Sequence, residues 1–356
     1  MKLIQFVIFV PNMDKRKILV GFILVFSITL SSFSFYFWQV ITAPNILVDQ
    51  ESRFFYIQPD ATFKDVQNTL YNEKYVNDLV AFSFLAKLMD YDEYVKPGRY
   101  LLQANMSNRD AIRYLRSGKQ EPVNITFNNV RLLEDLPPKI CANINLKPET
   151  FLATLEDSTL WAKYGFNNYT FKCMFIPNTY QVFWTITADE LIDRMSYEYE
   201  QFWNDSRKAK ADSIGLSPVE VSILASIVQA ECKMTDEAPV IAGLYLNRLK
   251  KNYLLQADPA LVYASGDFTI KRVLNKHKEI DSPYNTYKYR GLPPGPINAP
   301  EIRYLDAVLN YDDNNYLYMC AREDFSGYHN FATNLQQHLN NARRYQQALN
   351  REGIYR

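Results

Sequence analysis

The chain has 356 residues, of which 47% are hydrophobic, so it exceeds one small domain and has enough apolar residues for a core. Its 39 lysines and arginines equal its 39 aspartates and glutamates. This balance argues against a nucleic-acid-binding protein and against other polyanionic partners.

The first predicted element is a membrane-spanning helix over residues 18–41. These 24 residues include no charged side chain, and a helix of about 20 apolar residues crosses a bilayer. The basic segment Lys15–Lys17 precedes the helix and few basic residues follow it closely, so the positive-inside rule places residues 1–17 in the cytoplasm and the rest of the chain outside. Tyr36 and Trp38 suit the outer aromatic belt.

A cleaved signal peptide is the alternative interpretation of this stretch. Residues 18–41 are long for a signal peptide, and Val40–Pro44 is a poor cleavage sequence. We therefore expect a retained single-pass anchor. Residues 1–12 form a second, shorter apolar stretch, and the choice between Met1 and Met13 as the start stays open.

A small mixed α/β module is predicted over residues 53–118, after a short linker over residues 42–52. The patterns predict a strand at Phe55–Ile57, a helix at Thr62–Leu70 with Thr62 and Asp65 as start signals, a turn and strand at Lys96–Leu102, and a serine-capped helix at Ser107–Leu115.

Residues 119–216 are predicted to be a connecting region. It contains a strand at Val123–Phe127 and one long helix over residues 188–211, with many charges on the outer face of that helix. Four cysteines, Cys141, Cys173, Cys232 and Cys320, allow three full pairings, and their spacing does not choose among these. No CxxC motif is present, which argues against a zinc ribbon.

The helix that follows places a carboxyl group on an apolar face. Ser217 and Glu220 form a capping box with proline in the first helical position, so a helix begins there. The helical period gives an apolar stripe with Glu231 near its centre and with Ser222, Ser226 and Gln229 on the other side. An apolar setting raises the pKa of a carboxyl group, as a general acid requires.

Two other groups of polar residues lie near or after this helix. Asp236 and Glu237 could supply a second catalytic acid, but we favour the interpretation that they begin the next helix, predicted over residues 239–251, and interact with its positive end. Arg248 on that helix could pair with a carboxylate. The histidines at 329 and 338 could orient a substrate, and a metal site is rejected because only one other histidine exists.

Five ordered blocks of the sequence resemble those of the YceG-like (MltG) endolytic murein lytic transglycosylases. The helix segment Leu224–Glu231 is similar to the family's LASIVxxE pattern, whose last residue is the catalytic glutamate. The other blocks are Leu255–Pro259 (LQ-x-DP), Ser282–Tyr287 (PYNTY), Gly291–Ile297 (GLPPGPI) and His329–His338 (H-x-F-x-x-N-x-x-x-H). The segment Lys172–Tyr180 departs from the family's FPDTY block and the E-G pair before it, so it is left out of the candidate site.

The resemblance implies an α+β protein with a LysM-like module over residues 53–118 and a mixed α+β catalytic domain over residues 217–352, with the catalytic glutamate on a helix. Glu231 is the implied acid and base, with no cofactor and no metal. The implied substrate-binding residues are Gln256, Asp258, Tyr284, Asn285, Thr286, Tyr287 and Asn334.

The implied reaction is cleavage of peptidoglycan between N-acetylmuramic acid and N-acetylglucosamine, leaving 1,6-anhydro ends and terminating or trimming nascent glycan strands. The implied location is the inner (cytoplasmic) membrane, with a periplasmic catalytic domain and possible partners in wall synthesis or division. Two alternatives stay open: a peptidoglycan hydrolase that uses Asp236 or Asp258 as second acid, and a non-catalytic, membrane-anchored wall-binding scaffold.

Overall fold

A computed structural model of the protein describes residues 15–353, which form a mixed α+β structure in two compact units. The first unit extends to Pro122 and the second begins at Val123. The apolar stretch at residues 1–12, the choice of start residue and most of the predicted cytoplasmic segment lie outside the described residues.

The described part of the first unit, residues 15–122, contains four helices and four strands. They are α1 (Lys15–Thr42), β1 (Pro44–Ile46), β2 (Arg53–Ile57), α2 (Phe63–Asn72), α3 (Leu79–Leu88), β3 (Gly98–Leu102), β4 (Met106–Ser107) and α4 (Asn108–Ser117). Strands β2 and β3 pair antiparallel, as do β1 and β4. The predicted strands and helices of this module are confirmed, including a capping box at Thr62 and a serine cap at Ser107.

The segment predicted to be a linker, residues 42–52, is instead part of the first unit. Ile46 and Leu47 are fully buried in the core, and β1 lies in this segment. The Asn45 side chain donates to Asp78 O at 2.9 Å and to Asn108 Oδ1 at 2.7 Å. The linker prediction was wrong because β1 is only three residues long and the strand it pairs with, β4, is distant in sequence.

Helix α1 is long and apolar enough to cross a membrane and fits a single-pass anchor. Its side chains are exposed over most of its length, while Val40 near its end is buried in the core of the first unit. The Val40 carbonyl accepts a hydrogen bond from Asn108 Nδ2 at 2.9 Å. The helix therefore joins the first unit without a flexible linker.

The second unit is mainly helical. Its elements are β5 (Val123–Thr126), α5 (Leu136–Ile140), α6 (Pro148–Leu155), α7 (Ser158–Lys163), β6 (Thr179–Val182), α8 (Ala188–Phe202), α9 (Asp205–Ser213), α10 (Pro218–Glu231), α11 (Ala238–Lys250), α12 (Asp258–Ser265), α13 (Ile302–Leu309), β7 (Tyr318–Ala321), β8 (His329–Ala332) and α14 (Leu335–Arg351). Strands β5 and β6 pair antiparallel, as do β7 and β8.

The region predicted to connect two domains belongs to the second unit from Val123 onward. Its apolar residues form a cluster that also includes Ala299, so the connecting region and the segment after residue 217 share a core. The single helix predicted over residues 188–211 is two helices, because the chain turns at the buried Trp203 and Asn204 caps α9 by accepting from Arg207 N.

The middle of helix α10 is buried on all sides. Its capping box at Ser217 is confirmed, and every residue from Val221 to Val228 is buried. Ser222 and Ser226, which the helical period places opposite the apolar stripe, are buried as well. Both hydroxyls are buried and donate to carbonyls of their own helix, and a helix enclosed by α11, α12 and α13 has no solvent side.

Candidate active site

Glu231 is the last residue of α10 and lies between two cavities of the second unit. The larger cavity has a volume of about 1000 Å³, and its walls include Arg131, Tyr263 and Asn298. The smaller one has a volume of about 410 Å³. Glu231 and Asp258 line both cavities, so a chain-like ligand that extends through both passes this pair of carboxyl groups.

The surroundings of Glu231 favour its protonated form. Burial is the main cause that raises its pKa to about 7, and the negative charge of Asp258 acts in the same direction. Three groups oppose this rise: the Tyr245 hydroxyl, which donates to Glu231 Oε1 at 3.3 Å, the main-chain N–H of Asp258, and the positive charge of Arg248. Glu231 can therefore both give and take a proton near neutral pH.

Asp258 begins α12 and lies next to Glu231, to which its main-chain N–H donates. The Tyr287 hydroxyl donates to Asp258 Oδ1, and burial together with this carboxylate raises the pKa of Tyr287. Gln256 is exposed in the smaller cavity with a left-handed backbone, φ 49°, and its N–H donates to Thr286 O at 3.0 Å. The structure thus brings Gln256, Asp258 and Tyr287 to the cavity that contains Glu231.

Three other predicted residues are buried and support the loop before Tyr287. Asn285 is fully buried and donates to the carbonyls of Lys278 and Ile280 at 2.9 and 2.7 Å. The Thr286 hydroxyl accepts from Ala257 N at 3.0 Å. Tyr284 packs against Tyr263, with 4.7 Å between ring centroids. None of these three lines either cavity.

Asn334, the last predicted binding residue, caps helix α14. Its side chain accepts from Gln337 N at 3.0 Å, and it lies outside the walls of both cavities. The residues Leu335 and His338 in the first turn of α14 do line the smaller cavity. The His338 ring stacks on Tyr318, and its Nδ1 is buried without a hydrogen-bond partner among residues 15–353.

The carboxyl groups of Asp236 and Glu237 line neither cavity and instead form hydrogen bonds with Tyr328 and His329. Glu237 is buried and binds His329 twice, through the ring Nδ1 at 2.8 Å and the main-chain N–H at 2.9 Å. Asp236 accepts from the Tyr328 hydroxyl at 3.0 Å. Both residues immediately precede α11, which agrees with the favoured interpretation of this pair. His329 itself lines the smaller cavity.

Two residues of α11 close to Glu231 were missed or misread from the sequence. Among residues 15–353, Arg248 has no salt bridge to a carboxylate; it donates to the main-chain carbonyls of Leu254, Leu255 and Leu317. Tyr245 was missed, although it lies three residues before Arg248 and therefore on the same face of α11. Because Tyr245 and Arg248 share one face of α11, the sequence could have predicted that they lie together.

The larger cavity has two further polar features near its wall. Asn298 donates to Ser226 O at 3.0 Å, and its Oδ1 is buried without a partner in the described part of the chain. Lys172 is buried and donates to Arg131 O at 2.6 Å and to the Tyr263 hydroxyl at 3.3 Å, and burial lowers its pKa to about 8. Nothing in the local sequence pattern marks either contact.

Potential metal ligands and cysteines occur across the described part of the chain. Residues 15–353 contain no group of three or more histidine, cysteine, aspartate or glutamate side chains arranged to hold a metal ion. All four cysteines are free thiols, and burial raises the pKa of Cys141 and of Cys232 to about 11.

The fold and site define a mixed α+β protein with a membrane-compatible N-terminal helix and a protonatable carboxyl group between two cavities. The model of the YceG-like family matches residues 55–344, well over half of the chain. The chain belongs to the YceG-like family.

Similar proteins have been described in bacteria. The chain is 27% identical over 339 residues to the endolytic murein transglycosylase of Streptococcus pneumoniae strain R6, an alignment that covers 84% of this chain and 60% of that protein. It is 35% identical over 148 residues to the endolytic murein transglycosylase of Bacillus subtilis 168, which covers 42% of this chain and 41% of the relative. The chain thus spans about 60% of the length of its pneumococcal relative.

A crystal structure of a YceG-like protein from Listeria monocytogenes has a similar fold. The TM-score is 0.53 at 26% sequence identity, and the match covers 82% of this chain and 98% of the Listeria chain. The likeness supports a shared fold.

Proposed function

We propose that this protein is an endolytic lytic transglycosylase of peptidoglycan, with Glu231 as the single acid and base. The observation that carries the proposal is the position of Glu231: a carboxyl group with a pKa of about 7 lies where two cavities meet. The names of the streptococcal and Bacillus relatives support the same reaction. The substrate is the glycan of peptidoglycan.

The reaction needs one group that first donates and then accepts a proton. Protonated Glu231 gives its proton to the oxygen that bridges N-acetylmuramic acid and N-acetylglucosamine, and the bond from that oxygen to C1 breaks. The muramoyl C6 hydroxyl then bonds to C1, and its proton returns to Glu231. The products are a 1,6-anhydro end and a free hydroxyl on the other fragment, with no water consumed. A pKa near neutrality suits both steps.

Cleavage within a glycan strand requires sugar sites on both sides of the broken bond. The cavities on the two sides of Glu231 and Asp258 provide that space. Ring stacking and polar contacts are available from Tyr263 in the larger cavity and from Tyr287 in the smaller one. An enzyme acting only from a strand end would need one side closed.

The predicted binding residues divide into two roles under this proposal. Gln256, Asp258 and Tyr287 contact the substrate, because they line the smaller cavity. The buried residues Tyr284, Asn285 and Thr286 hold the loop that carries Tyr287. Asn334 caps α14 and so fixes the turn that brings His338 to the cavity.

Membrane attachment is the second part of the proposal. Helix α1 is a retained single-pass anchor, and the second unit acts outside the cytoplasm, on the periplasmic side of the inner membrane. The burial of Val40 supports retention, because cleavage near Ala43 would remove this side chain from the core of the first unit. Attachment near the site of wall synthesis suits an enzyme that trims nascent strands and works beside synthesis or division proteins.

Product analysis tests the reaction. Purified sacculi are digested with the wild type, with Glu231→Gln and with Asp236→Asn, and released fragments are identified by mass. We expect anhydro-muropeptides from the wild type and from Asp236→Asn, and none from Glu231→Gln with its fold retained. Reducing ends alone would indicate a hydrolase. Wild-type turnover by Glu231→Gln would show that Glu231 is not the catalytic acid, and absence of cleavage by the wild type would favour the wall-binding scaffold.

Topology is tested separately. A reporter that is active only outside the cytoplasm is fused after Arg356, and the cells are fractionated. We expect reporter activity and a full-length protein in the membrane fraction. A shortened, soluble form would show that the N-terminal helix is a cleaved signal.

A further inference from the structure

Helix α3 of the first unit exposes an apolar stripe that the core does not explain. Val80, Phe84 and Leu88 are 81%, 55% and 59% exposed. They are spaced by four residues and therefore lie on one face of the helix, while Phe82 and Leu85 are buried on the other. Three large apolar side chains aligned on an exposed face indicate a surface that contacts something apolar.

This stripe lies beside the membrane-compatible helix. The Phe84 ring contacts the Phe37 ring of α1 edge to face, with 6.3 Å between centroids. Phe37 is half-buried, whereas its neighbours Tyr36 and Trp38 are exposed. The exposed face of α3 is thus continuous with the lipid-facing surface of α1.

The depth of the Phe84–Phe37 contact in a bilayer follows from the length of α1. The apolar core of a bilayer takes about 20 residues of helix. Counted from Ile18, directly after the basic segment Lys15–Lys17, that length ends at about Phe37. Phe84 therefore lies at the outer boundary of the apolar core, where aromatic side chains are favoured.

The connection between α1 and the first unit is rigid enough to hold α3 at that level. Val40 is buried in the core, and its carbonyl accepts from Asn108, which also accepts from Asn45. Asn45 Oδ1 in turn accepts from the main-chain N–H of Asp78, the N-cap of α3. A chain of buried hydrogen bonds thus links the end of the anchor to the start of α3.

We propose that the Val80–Phe84–Leu88 face of α3 inserts into the outer boundary of the lipid bilayer, as an interfacial contact next to the anchor. The occupant of this face is lipid. Lys87 on the same exposed side can extend its ammonium to the headgroups while its stem stays among apolar groups. The contact fixes the orientation of the first unit on the membrane surface. This inference rests on α1 being the anchor proposed above.

Site-specific photocrosslinking of the full chain in phospholipid nanodiscs tests this contact. The photoreactive residue p-benzoylphenylalanine replaces Phe84, or Phe26 in the middle of α1, or Tyr71 on α2. Tyr71 is a matched control because it is an aromatic residue that is 65% exposed and lies outside the stripe. After irradiation, lipid adducts are quantified by mass spectrometry of the intact protein.

We expect lipid adducts at positions 26 and 84, and several-fold fewer at position 71. Adducts at position 26 without adducts at 84 overturn the inference and leave the anchor intact. Equal adducts at 84 and 71 also overturn it, because the stripe would then have no special access to lipid. Absence of adducts at position 26 contradicts the anchor, and the inference fails with it.

Discussion

At the scale of single residues, the pKa of Glu231 sets the pH range of the proposed reaction. The first step needs the protonated acid, and burial raises the pKa of Glu231 to about 7. We therefore expect kcat/KM on purified glycan strands to fall as pH rises through about 7, since the ionised form has no proton to donate. A rate that stays constant from pH 6 to about 9 would contradict this assignment of the acid.

Replacement of Asp258 provides the first test of which groups set the pKa of Glu231. Its negative charge raises the pKa of Glu231. Asp258→Asn keeps an oxygen that accepts from Tyr287 but removes the charge, so we expect the fall in kcat/KM to move to lower pH. Asp236→Asn, whose carboxyl group lies outside both cavities, is the control and should leave the profile unchanged. The measurement is kcat/KM against pH for the three proteins.

Replacement of Tyr245 should shift the pKa of Glu231 in the opposite direction. Its hydroxyl donates to Glu231 Oε1 at 3.3 Å and favours the ionised carboxylate, so it lowers the pKa. Tyr245→Phe removes this donor and should move the fall in kcat/KM to higher pH. Shifts of the same sign in Tyr245→Phe and Asp258→Asn are incompatible with the arrangement described here.

Replacing Glu231 itself should reduce the rate of the reaction, and not only shift its pH dependence. Its acid and base roles are each worth roughly 10²–10⁴-fold in rate. Glu231→Gln keeps size and shape, so we expect anhydro-muropeptide release to fall by several orders of magnitude with little change in thermal stability. Product release is quantified by mass spectrometry, with Glu237→Gln as a variant that should lose much less activity.

The sequence pointed to Glu231 as the candidate acid because one helix combines a capping box, an apolar stripe and a carboxyl group, and because five ordered blocks resemble those of the YceG-like family. It did not predict the tyrosine and arginine of α11 as its neighbours, because their approach depends on how α11 packs against α10. It also could not separate Tyr287, which reaches the cavity, from Asn285 and Thr286, which are buried. All three lie in one polar loop, and only tertiary structure distinguishes them.

At the scale of elements, the contact between α10 and the loop before α13 fixes one wall of the larger cavity. The Ser226 hydroxyl accepts from Ile297 N at 3.0 Å, and Asn298 donates to Ser226 O. Gly295 in the same loop passes close to another segment, since a Cβ there would lie 2.1 Å from Tyr169 O. The loop therefore has little freedom to move relative to α10.

Ser226→Ala tests this contact. The Ile297 N–H would be buried without a partner, which costs about 1–3 kcal/mol. We expect the free energy of unfolding of the second unit to fall by that amount in urea titrations. Ser222→Ala is the matched control: it is buried on the same helix, but its hydroxyl donates to Pro218 O within the helix. An equal loss in both variants would mean that the loop contact contributes nothing of its own.

Elements with local signals were predicted well and those with distant partners were not. The caps at Thr62, Ser107 and Ser217 act within one turn of their helices, and all three are confirmed. The short strand β1 pairs with β4 about sixty residues later, and no local pattern shows such a partner. The break between α8 and α9 was missed because charged residues continue across it.

At the scale of the whole molecule, the two units have separate cores. The core of the first contains residues from Val40 to Leu115, and the clusters of the second contain residues from Ile125 onward. The sequence indicated separate parts at the two ends but placed a connecting region between them. That region was misread because its strands and helices are short, and its core is completed by Ala299 far along the chain.

Truncation at two positions tests this division. Removing residues 1–52 deletes Ile46 and Leu47, and burial of two such side chains contributes about 3–6 kcal/mol, a large share of the roughly 5–15 kcal/mol that stabilises a domain. We expect amide hydrogen exchange over residues 53–122 to become fast in that chain, while protection after Val123 is retained. A chain lacking only residues 1–38 keeps Val40, Asn45, Ile46 and Leu47 and should protect both units. Equal protection of residues 53–122 in the two truncated chains would show that β1 and its neighbours are dispensable for the first unit.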